Sequence, residues 1–402
     1  MFKQRDRGRS SRVRTALAVT IGMLLASVGR AQQPPAFDPF EATIPQIRAA
    51  LSSGKITCRQ LVQYYFDRMD ALDIAGPKLN AVRTRNPQAL QLADTLDKLP
   101  ASALHGPLFC IPILVKDNID TVDMPTTAGS VALQNTFPLD DAFLVKRLKA
   151  AGAIIIGKGN LTEYANFLTT GMPTGYSSLG GHVLDPYDPR PIPKPLTNSD
   201  GRQALGPGGS SSGPGVVASA NFAAATVGTE TSGSILSPAN ANSVVGIKPT
   251  VGLISRSGVV PISASQDTAG PITRTVTDAA ILLGVLAGVD GRDSATVSSI
   301  GMVPSDYTSF LKADALAGTR LGVPRQYWAT RTAEEQAIAQ DSFDVMRKLG
   351  AEVIDVDIDS FTQLNAFSSS VLNYEFKRDP NTYLATRWTC FSDKNVGRRD
   401  RL

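Results

Sequence analysis

Histidine is almost absent. The chain has two in 402 residues, His105 and His182, and only three cysteines, Cys58, Cys110 and Cys390. So sparse a set offers no cluster with metal-ligand spacing, and an odd number of scattered cysteines gives no disulfide framework. No apolar run reaches the roughly 18–20 residues that a bilayer-spanning helix needs, and no repeat or heptad is present. Charged residues make up 19% and hydrophobic residues 42%, the proportions of an ordinary globular protein rather than a disordered chain. On length alone the chain can bury a large core.

The two ends read differently from the middle. Residues 1–14 hold Lys3, Arg5, Arg7, Arg9, Arg12 and Arg14 against a single acid, Asp6. An apolar run, Ala16–Val28, follows, and then Gly29-Arg30-Ala31 before Gln32. A basic start, a short apolar middle and small residues before the cut describe a signal peptide over 1–31 and a secreted protein. A mitochondrial presequence or a signal anchor are the alternatives, with an intracellular or organellar location. Removing the seven basic residues and one acid of that segment would turn the net charge of +4 into −2. The basic balance therefore belongs to the leader, and nothing points to nucleic acid as a partner. Residues 387–402 read as an atypical basic tail without periodicity.

What the chain does have is a long stretch of small residues, Gly206–Pro249, with almost no charge. Flexible Gly/Ser linkers lack an apolar segment such as Val216–Gly228 in their middle. Two serine-bearing loops flanking one packed element, expected to be a buried helix, are a way to build a site. Gly209-Ser210-Ser211-Ser212-Gly213 satisfies the G-x-S-x-G nucleophile elbow, but that arrangement needs a histidine after the serine, and both histidines precede it. Gly152–Lys158 resembles the start of a P-loop, but Gly159 stands where a magnesium-binding Ser or Thr should be. Ser52-x-x-Lys55 matches a further serine-lysine motif and falls at a helix end. Asn160-Leu161-Thr162 fits a glycosylation sequon but follows a strand expected to be buried.

The stretch resembles the amidase signature family, serine amidohydrolases with a Ser–Ser–Lys triad. The matching residues are Gly208–Gly213, Gly228–Ile235, Gly246–Thr250 and, upstream, Ile111–Asn118. The resemblance implies that Ser234 is the nucleophile and that the backbone amides of Thr231, Ser232, Gly233 and Ser234 form an oxyanion hole. It implies that Ser210, preceding a cis peptide bond, relays the proton, with Ser211 as the neighbouring rival, and that Lys116 is the base. A lysine base must be neutral at working pH, whereas a free lysine titrates at about 10.4. The apolar run Phe109–Val115 would deliver Lys116 into the interior, where burial disfavours the ammonium. Asp117 beside it would work the other way if its carboxylate turned inward.

Glu230, Ser232 and Leu236 depart from residues common in the family, which places the difference at the rim of the site and in substrate choice. The resemblance implies no cofactor and a small-molecule amide substrate. It leaves open a truncated, inactive homologue, and also a tRNA-dependent amidotransferase component, against which a leader argues.

The pattern along the chain alternates strands and helices, an α/β class. Thr57-x-x-Gln60 signals a helix start. Leu108–Val115 is strand-like, with Pro112 suggesting an edge or a break. Phe143–Leu148 reads as a helix, Ala153–Ile156 as a strand, 173–207 as a long loop, and Thr277 as the cap of a helix through Leu286. Two strands, Leu321–Val323 and Val353–Ile358, flank a helix over 333–349. The resemblance adds one α/β/α sandwich with a large mixed sheet and helices on both faces, over 38–386 and incomplete at its C-terminus. An incomplete domain would leave an inner strand as an edge and apolar faces against water.

Overall fold

The structure is a computed structural model that describes residues 37–99, 106–190, 204–304, 306–358, 360, 363 and 370–391. Residues 1–31, read as a leader, lie outside the described residues, as does 392–402. From Pro39 onward the chain forms one compact unit.

Its strands are β1 (Val82–Arg85), β2 (Pro112–Lys116), β3 (Ile154–Gly159), β4 (Tyr176–Ser177), β5 (Gly181–His182), β6 (Ala225–Glu230), β7 (Val245–Gly246), β8 (Thr268–Thr273), β9 (Arg320–Pro324) and β10 (Glu352–Val356). Six of them make one mixed sheet in the order β1-β3-β2-β6-β8-β7. The centre, β3-β2-β6, is parallel, and β1, β8 and β7 add antiparallel edges. Every residue of β2, β3, β6 and β8 is buried. Strands hidden on both faces need helices on both sides of the sheet and read as apolar runs without alternation. The fold is thus the mixed α/β sheet with helices around it.

Helix starts follow local chemistry. Thr57 and Gln60 close a reciprocal capping box on the helix Cys58–Arg68, and Gly152, at φ +90, turns the chain after the helix Phe143–Ala150. The helix Val276–Leu286 is capped by Thr275, whose side chain accepts from the Asp278 amide, and not by Thr277.

Three other expectations are corrected. Pro112 opens β2 without weakening it, because its missing N–H falls at the first residue, and the strand lies in the middle of the sheet. The apolar segment after Ser210 is half helix, Ser212–Ser219, and half strand, β6. Its second half, rich in alanine, threonine and valine, finds open ladders between β2 and β8, so tertiary pairing overrides helix propensity. Cys58 and Cys110 form a disulfide with Cα atoms 5.5 Å apart, tying the helix Cys58–Arg68 to the approach to β2.

Among the described residues, β9 and β10 pair only with each other, in parallel. The adjoining helix Ala333–Lys348 buries Ala339 and exposes Ile338 and Val345. The helix Ser370–Phe391 runs across the 386 boundary drawn from sequence. Phe376 on it packs edge-on against Phe167 at 4.9 Å, and Tyr383 donates to Asp120 at 2.8 Å. Its Glu375 accepts from the Ser263 and Ser265 hydroxyls, and the Ser263 bond foremost holds its carboxyl down at about 2. No helix among the described residues is long and apolar enough to cross a membrane.

Candidate active site

Parallel strands β2 and β6 pair in register, with Val115 opposite Val227. Their carboxyl ends therefore deliver Lys116 and Thr229 to the same edge of the sheet, where open α/β sheets place their ligands. Lys116 is fully buried. Its Nζ lies 2.8 Å from Ser210 Oγ, 2.9 Å from Thr229 Oγ1 and 3.3 Å from the Thr229 carbonyl oxygen. Burial pulls the Lys116 ammonium down to about 7, while Asp267 and Glu230 pull in the other direction. A lysine with that pKa supplies both of its protonation states near neutrality.

Asp117 does not face Lys116. Successive strand residues point to opposite sides, and Asp117 takes up a buried pair with Lys158 at 3.6 Å and accepts from Thr127. Lys158 in turn donates to Ile119 O at 2.5 Å and to Thr126 Oγ1 at 2.9 Å. The lysine of the P-loop-like segment is thus a buried strap on the turn that leaves β2. Asn160 and Thr162 of the sequon are buried as well.

Ser210 and Ser211 separate cleanly. Ser211 Oγ donates to the Thr229 carbonyl at 3.1 Å and accepts from the Thr229 amide at 3.2 Å, so it is tied to the sheet backbone. Ser210 Oγ is the one that meets Lys116. The cis peptide bond precedes Ser210, between Gly209 and Ser210, where the resemblance placed it after.

Ser234 stands in the turn after β6, 7% exposed. Its carbonyl accepts from the Ser211 amide at 3.3 Å, which brings the two serine loops together. Its Oγ makes no hydrogen bond to Ser210 or Lys116 among the described residues.

The four expected oxyanion donors are not equivalent. Gly233 N–H donates to Glu230 Oε1 at 2.9 Å, so that amide is already engaged. The amides of Thr231, Ser232 and Ser234 meet no acceptor among the described residues. Glu230 also accepts from Ile235 and Leu236 N–H, at 2.7 and 3.0 Å. The resemblance places it at the rim, but it is buried and grips the Ser234 turn from beneath, whereas Ser232 and Leu236 are exposed.

Sequence reasoning missed Thr229, Asn118 and Asp267. Asn118 Nδ2 lies 3.0 Å from Thr229 Oγ1. Asp267 accepts from the Thr231 hydroxyl and from the Ile262 and Ser263 amides, with burial raising its carboxyl. Asn118, Thr229, Thr231 and Asp267 line one recess. A larger cavity of about 570 Å³ shares Arg256, Val259 and Asp267 with it. Only the position of Asn118, two residues beyond Lys116, hinted at its place.

Fold and site together define a class, a mixed α/β sheet with a buried lysine–serine pair at the carboxyl edge of its parallel strands. Comparison with known proteins gives the family. The amidase family model matches residues 60–399, past the 386 boundary. A probable amidase of Arabidopsis thaliana is 39% identical over 375 residues, 90% of this chain and 68% of the relative. One component of the glutamyl-tRNA(Gln) amidotransferase of Thermoanaerobacter pseudethanolicus is 35% identical over 321 residues, 79% of this chain and 60% of the relative. The chain thus spans about half to two thirds of the length of the curated relatives it matches. The crystal structure of peptide amidase from Stenotrophomonas maltophilia superimposes with a TM-score of 0.77 at 40% identity, covering 87% of this chain and 69% of that one. The chain belongs to the amidase family.

Proposed function

We propose that this protein hydrolyses carboxylic amides by acyl transfer to Ser234. The observation that carries the reading is the 2.8 Å contact between wholly buried Lys116 and Ser210 beside the Ser234 turn. Neutral Lys116 takes the Ser210 proton while Ser210 takes that of Ser234. Ser234 Oγ attacks the substrate carbonyl, and the Thr231, Ser232 and Ser234 amides receive the developing oxyanion. The proton returns through Ser210 to the leaving nitrogen as the C–N bond breaks. Water then releases the acid from Ser234.

The 40% identity to peptide amidase makes peptide amides the first substrates to try, followed by aliphatic and aryl amides. The residues 1–31 support export, and the Cys58–Cys110 disulfide supports an oxidising compartment. The test is turnover of that panel together with labelling by a serine-directed acylating probe. Turnover with label on Ser234, both lost in Ser234→Ala, is the expected result. Label on Ser211, or full turnover in Ser234→Ala, would overturn the assignment, and a folded protein that turns over no amide would favour a non-catalytic homologue.

A further inference from the structure

A neutral amine has two N–H donors and one lone pair, so its three neighbours fix how it must point. Around Lys116 Nζ those neighbours are Ser210 Oγ, Thr229 Oγ1 and the Thr229 carbonyl oxygen. The carbonyl can only accept, and takes one N–H. If Thr229 Oγ1 takes the other, the lone pair is left for the Ser210 hydroxyl, the direction in which a base must face. If instead the Thr229 hydroxyl turned its proton toward Nζ, the lone pair would be consumed there and Lys116 could not accept from Ser210. The Thr229 hydroxyl proton therefore decides whether Lys116 is a base.

Asn118 settles where that proton goes. Its side-chain amide lies 3.0 Å from Thr229 Oγ1, and its Oδ1, in a residue 2% exposed, has no hydrogen-bond partner among the described residues when Nδ2 faces Thr229. The two ends of an amide have the same shape, so hydrogen bonding decides which one faces a neighbour. With Nδ2 toward Thr229, Oδ1 lacks a partner, and so does the Thr229 hydroxyl proton unless it turns onto the Lys116 lone pair. With Oδ1 toward Thr229, the hydroxyl proton is satisfied, and the side-chain NH2 is the one group of the pair left without a partner among the described residues. Buried polar groups settle into the arrangement that leaves the fewest unpaired.

We propose that Thr229 and Asn118 are positioning residues: Asn118 Oδ1 takes the Thr229 hydroxyl proton, and Thr229 Oγ1 thereby aims the Lys116 lone pair at Ser210. This rests on the reading of Lys116 as the base. The other charged groups that act on Lys116 are Asp267 and Glu230, while Asp117 is turned away onto Lys158.

The experiment compares wild type with Thr229→Val, which keeps the shape and removes the hydroxyl, with Thr229→Ser, which keeps the hydroxyl, and with Asn118→Asp. Two readouts are used. One is the pH profile of kcat/KM on an amide the wild type turns over. The other is the titration of 13C-labelled Lys116 followed by NMR, which needs no substrate.

Thr229→Val should lower the plateau of kcat/KM by about tenfold to a hundredfold. It removes an acceptor that favours the ammonium, so the Lys116 titration should move to lower pH. Thr229→Ser should restore the rate to within about threefold and restore the titration. Asn118→Asp brings a carboxylate up to the pair and should move the titration to higher pH. A Thr229→Val protein with wild-type titration and wild-type plateau would overturn the proposal, as would Thr229→Ser behaving like Thr229→Val. If the wild type turns over no amide, the enzymatic reading fails, while the NMR titration still supports or overturns the placement of the Lys116 protons.

Discussion

Replacing Lys116 by methionine should abolish turnover and yet stabilise the protein at neutral pH. Burial brings this lysine from 10.5 to about 7. Below pH 7 the native state must hold a charged amine in the interior. Between pH 7 and 10.5 the native lysine is neutral while the unfolded one still binds a proton. Stability contributed by this group is therefore lowest at and below pH 7, rises with pH through the window, and is complete above 10.5.

At about 1.4 kcal/mol per pH unit, the whole span is on the order of 5 kcal/mol. Methionine removes that dependence. It also removes the donor from Ser210 and from both Thr229 oxygens, a loss of about 0.5–1.5 kcal/mol for each bond that does not change across this window. The variant should thus be more stable than wild type by about 1–3 kcal/mol at pH 6 and lose that advantage by pH 10. Denaturant unfolding of both proteins from pH 6 to 10 measures the difference, which should fall by about 1.4 kcal/mol per pH unit above pH 7. Parallel pH dependences for the two proteins would refute a lysine held neutral by burial. So would normal turnover in the variant.

Three further outcomes are expected. Glu230→Ala, which strands the buried Ile235 amide and the half-buried amide bonds of Gly233 and Leu236, should destabilise the fold by about 1–3 kcal/mol and cut Ser234 labelling, whereas Glu230→Gln should recover part of both; labelling and melting unchanged in Glu230→Ala would count against the carboxylate as the grip on that turn. Cys58→Ala opens a cross-link spanning 52 residues, and a loop of that length corresponds to about 4 kcal/mol of chain entropy; calorimetry of the variant should show a clearly lower Tm, with no difference arguing that the bridge constrains nothing. N-terminal sequencing of natively produced protein should begin near Gln32 if 1–31 is a leader, and a product starting at Met1 would reject export.

Much of the site was legible from residue order. The small-residue run and the apolar approach to Lys116 marked it, because close backbone approach needs glycine and serine, and a neutral lysine needs burial. The capping box at Thr57 and the strand core of Ile154–Ile156 followed from local rules that act over a few residues. Where local rules compete, residue patterns mislead. The segment Val216–Gly228 reads as helix, but the open ladders beside β2 and β8 make its second half strand, and Pro112 reads as an edge signal although it merely begins a central strand.

Tertiary structure alone decided the contacts between distant residues. Lys116 and Ser210 are 94 positions apart, and only the register of β2 on β6 and the loop before the helix Ser212–Ser219 bring them within 2.8 Å. Asp117 could have charged Lys116, but strand alternation turns it onto Lys158. Glu230 reads from sequence as a substrate-choice residue, but burial puts its carboxylate under three amides of the Ser234 turn. The order of residues names the candidate groups, whereas the pKa of a lysine and the direction of its lone pair belong to the low-dielectric surroundings that the folded sheet assembles around it.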